Sequence, residues 1–343
     1  MHNNFLSFFT IAIITVISSC GQSLYASKFK TLMYLYEISG TKTIAGIHNR
    51  EPNAIPNQWT NNIQKLTGKY PGLWSGDFLF QKENINNRQI MINEAVAQWH
   101  NGALVNIMWH ACNPALNEPC GWDELGVMSQ MSDDEWKELT TEGTSLNIKW
   151  KSQVDEISSY LVFLQEQEIE ILWRPFHEMN QKVFWWGGRP GPEGTVRLYQ
   201  MLHDYLTNEK KITNLIWVWD IQDFDTLESD VHLYNPGDKY WDVLALDIYN
   251  DNTGFSKEKY DIIVEIANGK PIGIGECQIL PTIEELKEQP KWTFFMGWSE
   301  LVFEKNSENN IKIVFGSENV LTLDEMPGWE KARKQYKLYT NIF

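Results

Sequence analysis

Eight short runs rich in β-branched and aromatic residues recur along this chain, each followed by a segment of helical periodicity. The runs are Thr43–Ile47, Leu73–Phe78, Ala103–Trp109, Glu168–Pro175, Asn214–Trp219, Val243–Tyr249, Pro271–Glu276 and Thr293–Trp298. Helical segments between them include Gln89–His100, Ile148–Glu166, Thr195–Thr207 and Lys257–Ala267. Several runs are apolar at nearly every position, the pattern of strands covered on both faces. Eight such units in roughly 320 residues fit one α/β domain, a single (β/α)8 TIM barrel. A doubly wound open sheet fits less well, because no Gly-rich phosphate loop follows the first run. No low-complexity linker divides residues 27–343 and no close repeat occurs, so they read as one domain, expected to be a monomer.

Composition narrows the partners. The 343 residues carry 29 Lys+Arg against 45 Asp+Glu, a formal net charge of −16, which argues against nucleic acid and against a basic membrane-docking face. The 16 Trp, 13 Tyr and 16 Phe are the informative excess, because flat apolar rings suit sugar faces as well as large cores.

The first twenty residues are set apart from the fold. Phe5 to Ile17 is apolar apart from Ser7, Thr10 and Thr15, and too short to span a bilayer. It ends in Ile17-Ser18-Ser19-Cys20, which resembles a lipoprotein cleavage box with Cys20 as the lipid-bearing residue, although Met1-His2-Asn3-Asn4 lacks Lys and Arg. The alternative is an ordinary signal peptide cleaved nearby. Cys112 and Cys120 flank a short Pro-containing loop, where a disulfide or two buried thiols are the two readings. Cys277 follows an apolar run and reads as a packed thiol.

A barrel places its chemistry at the carboxyl ends of its strands. Here those ends read Trp109-His110, Arg174-Pro175-Phe176-His177-Glu178, Asp247-Ile248-Tyr249, Gly275-Glu276-Cys277 and Met296-Gly297-Trp298. Glu178 and Glu276 are lone acidic residues after strongly apolar runs, where partial desolvation drives pKa values apart. Glycoside hydrolysis with retention needs such a pair, one carboxyl protonated and one ionised, about 5–5.5 Å apart. His177-Glu178 does not extend to a zinc-peptidase motif, because Gln181 stands where the second His belongs. No Gly-x-Ser-x-Gly elbow occurs, and neither metal nor cofactor is expected.

Trp173-Arg174-Pro175-Phe176-His177-Glu178-Met179-Asn180, followed by Phe184-Trp185-Trp186-Gly187, resembles the acid/base signature of glycoside hydrolase family 26. Those enzymes are mostly β-mannanases in a clan of retaining (β/α)8 glycosidases. The likeness extends through Trp109-His110 with Asn113-Pro114, then Leu246-Asp247-Ile248-Tyr249, Ile274-Gly275-Glu276 and Phe295-Met296-Gly297-Trp298. It implies Glu178 as general acid/base and Glu276 as nucleophile. It also implies that His110 and His177 contact the sugar beside the cleaved bond, with Trp185 and Trp298 as aromatic walls. Tyr249 would orient Glu276, and Arg174, grouped with these substrate-site residues, would sit beneath the carboxylates and keep Glu276 ionised.

The function implied is hydrolysis of β-1,4-mannosidic bonds in mannan or manno-oligosaccharides. Exo-acting release of mannobiose, a β-glucanase or β-xylanase of the same family, and a non-catalytic glycan-binding lipoprotein remain as alternatives. Gly21 to Lys28 holds no acidic residue, the feature that tends to accompany surface export of lipoproteins in the gut bacteria this sequence resembles. The expectation is therefore a lipid-anchored outer-membrane protein facing the periplasm, against surface display or secretion.

Overall fold

The computed structural model describes residues 29–249 and 255–329. The leader and Cys20 lie outside them. Eight parallel strands run β1 Thr43–His48, β2 Leu73–Asp77, β3 Leu104–Trp109, β4 Ile171–Pro175, β5 Leu215–Gln222, β6 Val243–Ile248, β7 Ile272–Cys277 and β8 Trp292–Gly297. Each pairs with the next, and β8 pairs with β1, so the sheet closes on itself. Every residue of these strands is buried, because helices cover the outer face while side chains fill the interior. This is the single (β/α)8 barrel expected from the alternation. A two-residue strand, β9 Val320–Leu321, adds to the amino end of β1.

Element boundaries shift for local reasons. The helix expected from Ile148 begins at Ser145, where the Thr144 side chain accepts the Asn147 N–H and caps the free amide. The helix expected to reach Thr207 is α-helical only to Asp204 and continues as a π turn over Tyr205–Glu209. The fourth run starts at Ile171 rather than Glu168, since Glu168 takes a left-handed φ of 56°. Glu170 instead turns its carboxylate to the Lys30 and Thr31 amides at 3.0 and 2.7 Å. Those are orphan donors at the start of the helix Lys30–Ile38, whose own N-cap, Phe29, offers no acceptor. The amino pole is further packed by Trp329, stacked on Trp99 at 4.9 Å with its indole donating to the Ala103 carbonyl.

Candidate active site

β5 extends three residues beyond the expected end at Trp219, and that extension brings Asp220 and Gln222 into the barrel mouth. Arg174 from β4 is buried at the centre. Its Nη1 donates to Asp220 at 2.7 Å and to both oxygens of Asp247 at 3.0 Å, and its Nη2 donates to Glu276. Tyr249 donates its hydroxyl to the other oxygen of Glu276. Glu178 lies just past β4, with its backbone N–H on Asp220 at 3.0 Å and its carboxyl accepting from the Gln222 amide. One oxygen from each of Glu178, Asp247 and Glu276 falls within 4.8 Å of the others.

The two glutamates differ in what they touch. Burial, then the charges of Glu276 and Asp220, raise Glu178 well above the ordinary carboxyl value. Burial also raises Glu276, but Arg174 and the Tyr249 hydroxyl pull against it. The Arg174 guanidinium bonds three of the four buried carboxyls, so the cluster is favoured when it retains protons. Burial raises Asp247 as well as Glu178, and of the two glutamates Glu178 is the one with no hydrogen bond from that cation. The triad of oxygens has the reach of a metal site, yet Arg174 already delivers the positive charge to Asp247 and Glu276. The donor set is thus arranged around an internal cation.

Beside the carboxylates stands a histidine cluster. His110 at the end of β3 bonds Asp77 through Nδ1, and its backbone N–H reaches the same carboxylate at 3.2 Å. With Nδ1 committed, Nε2 is the nitrogen left for a ligand. The His177 ring meets His110 edge-on at 4.4 Å, and its Nε2 lies 3.9 Å from Glu276. Burial, with His110 and Arg174 adding, holds the His177 ring well below its ordinary pKa, so it is neutral at neutral pH. Trp298 stacks on His48 at 4.3 Å and remains partly open.

The structure therefore gathers Glu178, Glu276, Arg174, His110, His177, Tyr249 and Trp298 at one mouth. Arg174 lies below the carboxylates and acts on them directly. Trp185 is placed differently from the aromatic wall expected of it. It is buried, donates to the Ala111 carbonyl at 2.7 Å, and packs edge-on against Phe176 and Trp186. Its neighbours Phe184 and Trp186, stacked at 4.4 Å, are the rings that meet His110 and His177. Asp77, Asp220, Gln222 and Trp122 did not emerge from the sequence. Trp122 is 54% exposed, with its ring 5.4 Å from His110 and 5.6 Å from Phe184. It lies two residues beyond a Cys112–Cys120 disulfide, the first of the two readings of that pair. Cys277 is a buried free thiol, pointing at the Met296 carbonyl.

The fold and site together define a closed parallel (β/α)8 barrel that carries two unlike buried glutamates, one just past β4 and one at the end of β7. The model of glycosyl hydrolase family 26 matches residues 25–325, and the chain belongs to that family. It is 29% identical over 311 residues to a mannan endo-1,4-beta-mannosidase of Thermothelomyces thermophilus, covering 87% of this chain and 61% of that relative. The chain thus spans less than two thirds of that protein's length. Among solved structures, GH26A from a Muricauda species superposes with a TM-score of 0.81 at 36% identity, covering 89% of this chain and 98% of the other. The Podospora anserina GH26-CBM35 beta-(1,4)-mannanase gives 0.73 at 26% identity, covering 88% of this chain and 66% of that one.

Proposed function

We propose that this chain is an endo-acting β-1,4-mannanase that cleaves with retention, Glu178 serving as acid/base and Glu276 as nucleophile. The observation that carries it is the asymmetric pair. Glu276 is held by Arg174 and Tyr249, and Glu178 by a neutral amide, with their oxygens inside 4.8 Å. That close approach supports the retaining arrangement, with carboxyls about 5–5.5 Å apart, over the inverting one at about 6.5–9.5 Å. Glu276 would attack the anomeric carbon while Glu178 passes its proton to the departing oxygen. Water would then attack the glycosyl-enzyme, returning its proton to Glu178 and freeing Glu276. His110 and His177 would contact the sugar at the cleaved bond, with Trp298 as an aromatic wall.

The mannan preference rests on the names of the relatives, two of which are mannanases. Side-by-side digestion of mannan, mixed-linkage glucan and xylan, with products separated by chromatography, tests it. Manno-oligosaccharides of several lengths from mannan are expected. Release of mannobiose alone would refute endo action, and faster digestion of glucan or xylan would refute the substrate. Proton NMR of the first products should show the β-anomer before mutarotation.

We further propose that the protein is a monomer anchored by lipid at Cys20 to the outer membrane, facing the periplasm. Protease treatment of whole cells before and after outer-membrane disruption is the test. Degradation in intact cells would refute the periplasmic placement, and Cys20→Ala should release the protein from membranes.

A further inference from the structure

Asp220 stands where the supports of the two glutamates meet. Its Oδ2 accepts from Arg174 at 2.7 Å and its Oδ1 accepts the Glu178 backbone N–H at 3.0 Å. Its own carbonyl accepts the Met179 N–H at 3.4 Å. One buried residue thus holds the main chain at 178–179 through two bonds and the cation of Glu276 through a third.

The main chain it holds is strained. Phe176 and Glu178 have φ of 49° and 52°, in the left-handed region that side-chain-bearing residues rarely occupy. Such a kink persists only where its surroundings over-determine it. The fold also makes room for the anchor, because a Cβ on Gly275 would collide with oxygens of Asp220 and Asp247. A glycine before Glu276 therefore lets both aspartates close on Arg174.

We infer that Asp220 is a positioning residue that locks the Glu178 backbone to the Arg174 serving Glu276, so that proton donor and nucleophile keep one mutual spacing. The inference rests on the roles assigned above to the two glutamates. The charged and titratable groups facing its carboxylate are Arg174 and Glu178 at the end of β4, Asp247 of β6, Glu276 of β7 and Tyr199 of the helix Thr195–Asp204. Its charge adds to burial and Glu276 in raising Glu178, so neutralising it moves the Glu178 titration to lower pH.

Asp220→Asn keeps the shape, removes the charge and turns one acceptor into a donor that faces Arg174 or the Glu178 N–H. Its kcat, KM and pH profile are measured on an unactivated manno-oligosaccharide and on an activated aryl glycoside, beside Glu178→Ala. On the unactivated substrate kcat should fall about 10- to 100-fold, a share of the 10²–10⁴ that proton transfer contributes. The activated substrate should lose less, KM should change little, and the basic limb should move to lower pH. Equal losses on both substrates with an unmoved basic limb would overturn the inference. If Asp220→Asn does not fold, Asp220→Glu carries the test, keeping the charge while displacing both contacts by a methylene. Its basic limb should stay while the unactivated substrate again loses more; equal losses refute the positioning role. Glu178→Ala separates the two levels. If it shows no selective loss on the unactivated substrate, the assignment of the glutamates fails; if it does and the Asp220 variants do not, only the Asp220 inference fails.

Discussion

Arg174 donates a hydrogen bond to Glu276 and none to Glu178, although the two glutamates bring oxygens within 4.8 Å of each other. That single cation breaks the symmetry of the pair. Two carboxyls this close and this buried resist joint ionisation, and the proton settles on the one lacking the guanidinium.

The first consequence is a difference in rescue. Glu178→Ala should lose most hydrolysis of polysaccharide, of the order of the 10²–10⁴ expected for general acid catalysis, yet retain cleavage of activated aryl glycosides. Azide should restore its second step and yield the β-glycosyl azide. Glu276→Ala should show no such product. The reverse pattern, read by mass spectrometry and NMR, would exchange the two roles.

Stability should carry the opposite sign to activity. Burial and Glu276 raise Glu178 above its ordinary 4.5, so the folded state holds this proton more tightly than the unfolded chain. The contribution is fully present below pH 4.5 and is lost as pH rises through the folded-state value. Glu178→Gln, which cannot ionise, should therefore melt higher than the parent at pH 8, with the gap closing near pH 4. Scanning calorimetry at several pH values checks this, and a constant gap would contradict it.

The Cys112–Cys120 bridge closes a loop with a sequence separation of 8 and ends two residues before Trp122. Cys112→Ser with Cys120→Ser should cost roughly 2–3 kcal/mol by loop-closure entropy, visible in denaturant unfolding. The same variant should raise KM for longer oligosaccharides more than for short ones, because Trp122 would lose its fixed place beside His110. Trp122→Ala should reproduce the KM change, roughly tenfold for about 1.4 kcal/mol of lost ring contact, without the loss of stability. Equal KM values for the variants and the parent would separate Trp122 from substrate.

Exhaustive chelation should leave the rate unchanged, since Arg174 supplies the charge at the acidic cluster. A loss restored by a divalent cation would assign Glu178, Asp247 and Glu276 to a metal instead.

Strand ends were legible because a strand buried on both faces reads as an unbroken apolar run, and the first polar residue marks its exit. That logic found His110, Glu178 and Glu276. Asp220 also follows its run directly, but the strand resumes after it and hides it as an interior position of β5, paired opposite Ala245. Asp77 was hidden similarly, inside a run read as continuous through Phe78. Three consecutive aromatics, Phe184 to Trp186, carry no periodicity that tells which ring faces the histidines, and only the packing of Trp185 against Ala111 separates it from its neighbours. Glu170 belonged to a strand by sequence, whereas the uncapped helix at Lys30 claimed its carboxylate.

That latch has a mechanical consequence. Glu170 precedes β4 at the amino end of the barrel, so the first described helix, Lys30–Ile38, begins at the pole opposite the mouth that holds Glu178 and Glu276. A leash attached ahead of Phe29 would pull on that closed pole. Under the proposed lipid anchor, the membrane would lie behind the barrel, and the opening would look outward into the compartment from which oligosaccharides arrive.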